Sequence, residues 1–360
     1  MTESLLVVVA AGAAPDITPE TMVAGLPLGR RLALAGARAG LASSPSSEPG
    51  RYRLILVPSN VIPQPRWLRA LAAMPLQPET LWVDPAQVAV VDTDDPKPVL
   101  EAAGRAESVA ECVAVLKGRF ATIEGPADHK GRFAVRTAGD LRRAESWLLR
   151  GLIKDSEGFM SRHVERLISL ALTRHLVWTS VTPNAMTLVS LGIGLAAAPL
   201  FLSSAPGWQL AGALLFLLHS ILDGCDGEIA RLKFLESPGG AALDFWGDNA
   251  IHVAVFGCMG VGWSLSAHSA WPLAVAALAV ACTLAAAFVE APRMVSLSAA
   301  PSPRSAGAHM ADALANRDFI YLIVALSAFG KAAWFVVFVA IGTPVFVLVR
   351  FWADRPRGRA

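Results

Sequence analysis

Beyond residue 180 the chain is a succession of apolar stretches, each long enough for a bilayer-spanning helix, and one of their junctions is crowded with carboxylates. From Asp223 to Asp248 it reads DGCDGEIARLKFLESPGGAALDFWGD, flanked by LAGALLFLLHSIL and AIHVAVFGCMGVGWSL. Charge at bilayer depth is costly, and four carboxylates of one sign repel each other. A solvated acidic face does not suit such flanks. A divalent-metal site does.

The spacing supports that reading. Asp223 and Asp226 stand three apart on a helix, with Gly227 and Ala230 on nearly the same face, so two carboxylates project beside a groove poor in side chains. Asp244 and Asp248 repeat the arrangement one turn apart on a following helix, after a break at Ser237, Pro238 and Gly239 that lets the chain reverse. Carboxylates without His or Cys suit Mg, Mn or Ca rather than Zn, and Mg commonly works on phosphorylated substrates. Gly227, Ala230 and Gly240 leave room for a flat or phosphate-bearing ligand to approach the backbone.

The pattern Asp223-x2-Asp226-Gly227-x2-Ala230-Arg231-x8-Gly240-x3-Asp244-x3-Asp248 resembles, at every fixed position, the signature of the CDP-alcohol phosphotransferase family of integral membrane enzymes. The resemblance implies two Mg2+ or Mn2+ ions held by Asp223, Asp226, Asp244 and Asp248, with Asp248 also the general base on the acceptor hydroxyl. It implies a CDP-linked donor lying across Gly227, Ala230, Arg231 and Gly240, with CMP as leaving group, and a homodimer formed through the membrane helices. A TPN-x2-T segment recurs at the corresponding place in the family, so Asn184 and Thr187 join the expected donor site. Arg231 is expected to pair with an aspartate or a donor phosphate. Arg293 and Arg317 are candidates to hold a phosphate on the acceptor, their alternative role being topology signals.

At about 20 apolar residues per span, the expected spans are 184–203, 208–231, 240–264, 270–290, 312–330 and 332–353. The loops around 204–207 and 265–269 hold no Lys or Arg, whereas Arg231, Lys233, Arg293, Arg304, Arg317, Arg355, Arg357 and Arg359 fall on the other side. Both termini and the aspartates are therefore expected to face the cytoplasm from the inner membrane. No cleavable signal peptide is evident, since the apolar run at residues 4–11 is short and preceded by Glu3. Trp178, Trp208, Trp246, Trp263, Trp271 and Trp352 near span ends suit an aromatic belt.

Residues 160–178 place Val164, Leu167, Ile168, Ala171 and Leu172 on one apolar stripe with Arg162, Arg166 and Arg174 largely elsewhere, as in a helix lying in the membrane interface. Packing on a soluble domain is the alternative. Pro183 ends that helix, and Thr182-Pro183-Asn184 begins the first span.

Before residue 150, the runs SLLVVVAA, RLILVPS, TLWVD and VAVVDT alternate with amphipathic stretches, which predicts a soluble α/β domain with a largely parallel sheet. Val9-Ala10-Ala11-Gly12 and Gly25-Leu26-Pro27-Leu28 resemble the opening of sugar-phosphate nucleotidyltransferases, but GAAPDITPE lacks their basic phosphate grip. The domain is read as nucleotidyltransferase-like and inactive, with an active cytidylyltransferase as the alternative. Asp84, Asp92 and Asp94 could hold a metal, though strand-end aspartates are more often solvated or in turns. The combination, with Asn316-Arg317-Asp318-Phe319, resembles the bifunctional inositol-phosphate branch of the family.

The expected architecture is thus residues 1–151 as a soluble α/β domain, 152–181 as linker and interfacial helix, and 182–355 as an all-α membrane domain of six transmembrane helices. The expected activity is transfer of a substituted phosphate from a CDP-linked donor, of CDP-diacylglycerol or CDP-inositol type, to an alcohol. A non-catalytic membrane scaffold that binds lipids, and a metal transporter, are the competing classes. Acidic residues gathered at one side rather than along a path speak against transport. His219 and His252, each one turn from a motif aspartate, are either support for the site or interior histidines. Glu290 is expected to pair with Arg293. Cys112, Cys225, Cys258 and Cys282 lack CxxC spacing, so neither zinc nor a disulfide framework is expected, and Cys225 should point away from the aspartates. The net charge of +2 says little by itself, and no nucleic-acid partner is expected.

Overall fold

The computed structural model describes residues 2–11, 16–46, 50–84, 88–126, 129–153, 158–295 and 319–353, of which 129, 293–295 and 346–353 by their backbone alone. The chain forms two compact units, Met1–Arg150 and Gly151–Ala360.

The first unit runs β1 (Thr2–Val9), β2 (Met22–Val23), β3 (Leu26–Pro27), α1 (Leu28–Ala39), β4 (Arg51–Pro58), β5 (Val61–Pro63), α2 (Pro65–Ala72), β6 (Thr80–Asp84), β7 (Val88–Thr93), α3 (Lys97–Arg105), α4 (Val109–Lys117), β8 (Ala121–Glu124), β9 (Arg132–Ala134) and α5 (Ala138–Arg150). Its main sheet has the order β1-β4-β7-β6-β8. Pairing is parallel for β1 with β4 and β6 with β8, but antiparallel for β4 with β7 and β6 with β7. The sheet is therefore mixed, not largely parallel. Only three residues separate β6 from β7, and a parallel return needs a crossover of roughly a dozen or more. The central strands are apolar on both faces because both are covered: Leu54 and Leu56 pack with Val99, Val109, Cys112 and Leu116, while Ile55 and Val90 are equally buried.

Two of the strand-end aspartates are held by arginines. Asp84 pairs with Arg132, and Asp92 forms an ion pair with Arg51 at 2.6 Å and accepts a hydrogen bond from Arg53 at 2.7 Å. Asp84 and Asp92 are thus neither solvated nor gathered for a cation.

A second arginine device fixes the opening of α1. Arg31, only 2% exposed, donates to the carbonyls of Val23 and Ala24, both at 2.9 Å. Burial lowers its guanidinium pKa to about 10, partly offset by Glu145. Removing the donor strands two carbonyls, so Arg31→Ala is expected to cost about 2–4 kcal/mol. Faster amide exchange over α1 and the β2–β3 hairpin would report it; unchanged exchange would show the contact to be dispensable. Burial also raises the Cys112 thiol to about 11, consistent with an inert core residue.

The second unit begins with a π-helical turn at Ser161–Glu165, then α6 (Arg166–Leu176), α7 (Pro183–Ala197) with a 3-10 continuation at Ala198–Leu202, α8 (Pro206–Lys233), α9 (Pro238–Ala267), α10 (Trp271–Val295), α11 (Phe319–Ala328) and α12 (Ala333–Ala353). Among the described residues, four helices are long and apolar enough to cross a membrane: Pro183–Leu202, Pro206–Lys233, Pro238–Ala267 and Trp271–Pro292. α11 and the described part of α12 are shorter apolar helices. Ala197, Phe201, Phe216, Ile251, Phe256, Ile323 and Phe335 form their common core.

Caps set where these helices turn. Thr182 accepts from the Ala185 amide at 3.3 Å with Pro183 at the first helical position, and Ser237 accepts from the Gly240 amide at 3.0 Å. α8 ends at Phe234 in the left-handed conformation. With 28 residues, α8 is about 42 Å long against a hydrocarbon core of about 30 Å. Its last turns, which carry the motif, can therefore sit near interface depth.

The π-helical turn and α6 together invert the usual amphipathic arrangement. Ser161, Glu165, Ser169 and Thr173 are buried, while Val164, Leu167, Ile168 and Leu172 are exposed. The buried polar row meets α8: Arg166 and Ser169 donate to Glu228 at 2.7 Å, Thr173 donates to it at 2.6 Å, and Ser220 donates to Glu165 at 3.2 Å. Cys225 is turned toward α6 as well, its thiol 3.6 Å from the Ser169 carbonyl.

Candidate active site

α8 and α9 are joined by four residues, 234–237, and α7 packs against both. Asp223, Asp226 and Asp244 converge there, with ligand atoms within 4.8 Å of one another. Asp223 and Asp226 are buried, at 4% and 7% exposure. Asp226 accepts from the Thr187 hydroxyl and from the Gly227 amide. The buried Oδ1 of Asp244 has no hydrogen-bond partner among the described residues. Three carboxylates this close destabilise one another unless a proton or cation intervenes. An all-oxygen donor set with a spare buried lone pair fits a hard divalent cation.

Asp248 stands outside that trio, one turn further along α9. Its Oδ1 is 3.4 Å from Nε2 of His219, whose Nδ1 lies 3.0 Å from the Ser190 carbonyl. A carbonyl can only accept, so Nδ1 carries a proton and Nε2 is directed at Asp248. His219 thus borders the fourth aspartate, to which Nε2 donates only as an imidazolium. His252 lies instead among the rings of Phe216, Phe256 and Phe319, with centroids 5.7 to 5.9 Å away.

A pocket of about 230 Å³ opens beside the trio. Asn184, Thr187, Gly227, Ala230, Arg231 and Gly240 all line it, together with Asp226 and Asp244. Gly240 is needed for close approach: a Cβ there would lie 3.0 Å from Asn184 Oδ1 and 3.1 Å from Ser237 Oγ. Gly240→Val is expected to displace Asn184 and raise the donor KM by about tenfold or more, one misplaced hydrogen bond being worth that much. Steady-state kinetics with varied donor would detect it, and an unchanged KM would remove Asn184 from the site. Of the two arginines considered for the acceptor, Arg317 and the side chain of Arg293 lie outside the described residues.

Sequence reasoning passed over Glu228, which is fully buried and receives three donors from α6. The signal was present in the four-residue spacing of Ser161, Glu165, Ser169 and Thr173, a polar stripe opposite the apolar one.

The sequence model of the CDP-alcohol phosphatidyltransferase family matches residues 180–307. The bifunctional IPC transferase and DIPP synthase of Thermococcus kodakarensis is 42% identical over 118 residues, covering 32% of this chain and 26% of that protein. The protein of the same name from Rubrobacter xylanophilus is 38% identical over 155 residues, 42% of this chain and 34% of that one. Phosphatidylinositol phosphate synthase of Corynebacterium glutamicum is 29% identical over 133 residues, 37% of this chain and 59% of that protein. The matched stretches thus span about a third or less of the first two relatives' own length. Residues 180–307, which contain all four motif aspartates and the pocket beside them, are the stretch that matches the CDP-alcohol phosphatidyltransferase family model, and their apolar helices are those of an integral membrane protein.

Proposed function

We propose that this chain transfers a substituted phosphate group from a CDP-linked donor to an alcohol, releasing CMP. The observation that carries the reading is the convergence of Asp223, Asp226 and Asp244 beside a pocket lined by Asn184, Thr187, Gly227, Ala230, Arg231 and Gly240. The three carboxylates, with Asp248 nearby, would hold Mg2+ or Mn2+, two ions being the reading the motif supports. Such cations neutralise pyrophosphate charge and stabilise the departing CMP. Asp248, beside His219, accepts the proton of the acceptor hydroxyl as its oxygen attacks phosphorus. Arg231, on the pocket wall, faces the donor phosphates. Thr187 holds Asp226 in place.

The relative named phosphatidylinositol phosphate synthase makes an inositol-bearing acceptor the first to assay, with CDP-diacylglycerol and CDP-inositol as the two donors. The remaining readings belong to the same proposal. Residues 1–151 form a nucleotidyltransferase-like domain without activity of its own. Residues 152–181 include a helix whose exposed Leu167, Ile168 and Leu172 lie in the membrane interface. Residues 182–355 span the inner membrane six times, counting α11 and α12, with both termini and the aspartates cytoplasmic, and the enzyme is a homodimer.

Purified protein incubated with Mn2+ or Mg2+, labelled CDP-diacylglycerol or CDP-inositol and a panel of alcohols should release CMP. Absence of CMP with every donor would leave the scaffold reading standing.

A further inference from the structure

At the end of the membrane unit away from the aspartates, a cavity of about 220 Å³ lies between the 3-10 turn after α7, the start of α8, the end of α9 and the turn from α11 to α12. Ser204, Gln209, Trp263, Ser266, Lys331 and Trp334 stand in its wall. At 1.5 Å per residue, Gln209 is roughly 21 Å from Asp223 along α8, and Gly262, also in the wall, roughly 27 Å from Asp244 along α9. The cavity is therefore separate from the site described above.

Its charge is one-sided. Lys331 is the only Lys, Arg, Asp or Glu in residues 198–211, 259–273 and 326–336. Among the described residues no acidic side chain lines the cavity. A cation at apolar helix ends without a carboxylate of its own is a place for an anion from outside the chain. A lysine that only marks the interface would need no more than exposure. The backbone around Lys331 is set from both sides as well. Gly330 is left-handed, at φ +68°, and a Cβ there would lie 3.1 Å from Pro206 Cγ. Gln209, 6% exposed, holds the following residue: its Oε1 accepts from the Ala332 amide at 3.1 Å while its Nε2 donates to the Ser203 carbonyl at 3.2 Å. The first turn of α12 also lines the cavity, which adds the positive end of a helix to the lysine. The remaining wall is amphipathic. Trp334 is exposed, and Trp263 rests against Trp271 with ring centroids 4.5 Å apart. Indole rings beside a cation suit an anion that carries hydrocarbon, at the depth of lipid headgroups.

We infer that this cavity binds the phosphate of an anionic membrane lipid, which pairs with Lys331 while the carbons next to the phosphate rest on Trp334. Occupancy ties the turn between α11 and α12 to the ends of α8 and α9, and the lipid takes no part in the chemistry at the aspartates.

The experiment uses the full chain in dodecyl maltoside micelles doped with phosphatidylglycerol or with zwitterionic phosphatidylcholine. It reads methylation of Lys331 by formaldehyde and borane in peptide mass spectra. Phosphatidylglycerol should half-protect Lys331 at a concentration at least about tenfold lower than phosphatidylcholine, the worth of one charge-assisted hydrogen bond. Lys117 of the first unit, paired with Glu124 at 3.0 Å, should be methylated alike in both. Ser266→Phe fills the cavity from α9, leaves Lys331 in place and should abolish the protection. Protection that survives Ser266→Phe would mean that an exposed charge gathers lipid without the cavity, and equal protection by the two lipids would mean that the anion is not selected; either result overturns the inference. Inorganic phosphate protecting as well as phosphatidylglycerol would make this a free-anion site and remove the lipid. Native mass spectrometry gives a readout that does not depend on Ser266→Phe folding. Lys331→Ala, at an exposed position, should retain one phosphatidylglycerol fewer per chain than Lys331→Arg, and equal retention by the two variants sinks the site.

Discussion

Changing Asp244 to Asn is expected to abolish the thermal stabilisation that Mn2+ gives the protein, and to lower CMP release by about 10²–10³-fold. A cation that binds only the folded chain stabilises it by about 2.7 kcal/mol at a hundredfold excess over Kd. That increment should vanish in the variant, because one of three mutually close oxygen donors has gone. The metal-free variant should be no less stable than the parent. Its amide replaces a carboxylate crowded by Asp223 and Asp226, so repulsion is relieved where a ligand is lost. Asp248→Asn should behave differently. Asp248 lies outside the trio, beside His219, so the variant should keep much of the Mn2+ stabilisation while losing about 10²–10⁴-fold in kcat, the range for a general base. Thermal melts with and without Mn2+, set beside CMP release, separate the two roles. Equal loss of metal stabilisation in both variants would make Asp248 a ligand on the same footing as the others.

Replacing Glu228 by Ala should destabilise the membrane unit by about 3–5 kcal/mol, the usual consequence of breaking a buried ion pair from one side. Arg166 would lose its carboxylate partner, and the hydroxyls of Ser169 and Thr173 would lose their acceptor. Glu228→Gln should cost less, since an amide oxygen still accepts from one or two of these donors. The effect should be local at first, with α6 released from α8 and amide exchange over residues 161–176 rising before the rest of the unit melts. If exchange there is unchanged in Glu228→Ala, the apolar contacts of α6 hold it and the polar network is incidental.

How much of this was readable in the sequence depends on the range over which each feature is decided. The long helices and the aspartate spacing are local, set by runs of apolar residues and by intervals of three and four, and the break at Ser237 and Pro238 is local chemistry too. The pocket beside the trio follows from those intervals once two helices are joined by four residues. The sheet was misjudged because alternation of strands and helices suggests parallel pairing. The short interval between TLWVD and VAVVDT, which forces a hairpin, was visible and outweighed by that general pattern. Glu228 was missed for a different reason. An amphipathic helix is usually judged by where its apolar stripe goes, whereas α6 spends its polar stripe on a neighbour 55 to 62 residues away. The paired arginines on Asp84 and Asp92 are likewise long-range and leave no local trace.

The turn between α8 and α9 is short and held at both ends, by the left-handed Phe234 and by the Ser237 cap, and it is also a wall of the pocket beside the trio through Leu235, Glu236 and Ser237. Folding has therefore already paid the conformational entropy that a flexible nucleotide loop would lose on each binding event. A ligand entering there meets a surface whose backbone is set, so discrimination between nucleotides would come from shape and hydrogen-bond match rather than from the chain closing around the right one.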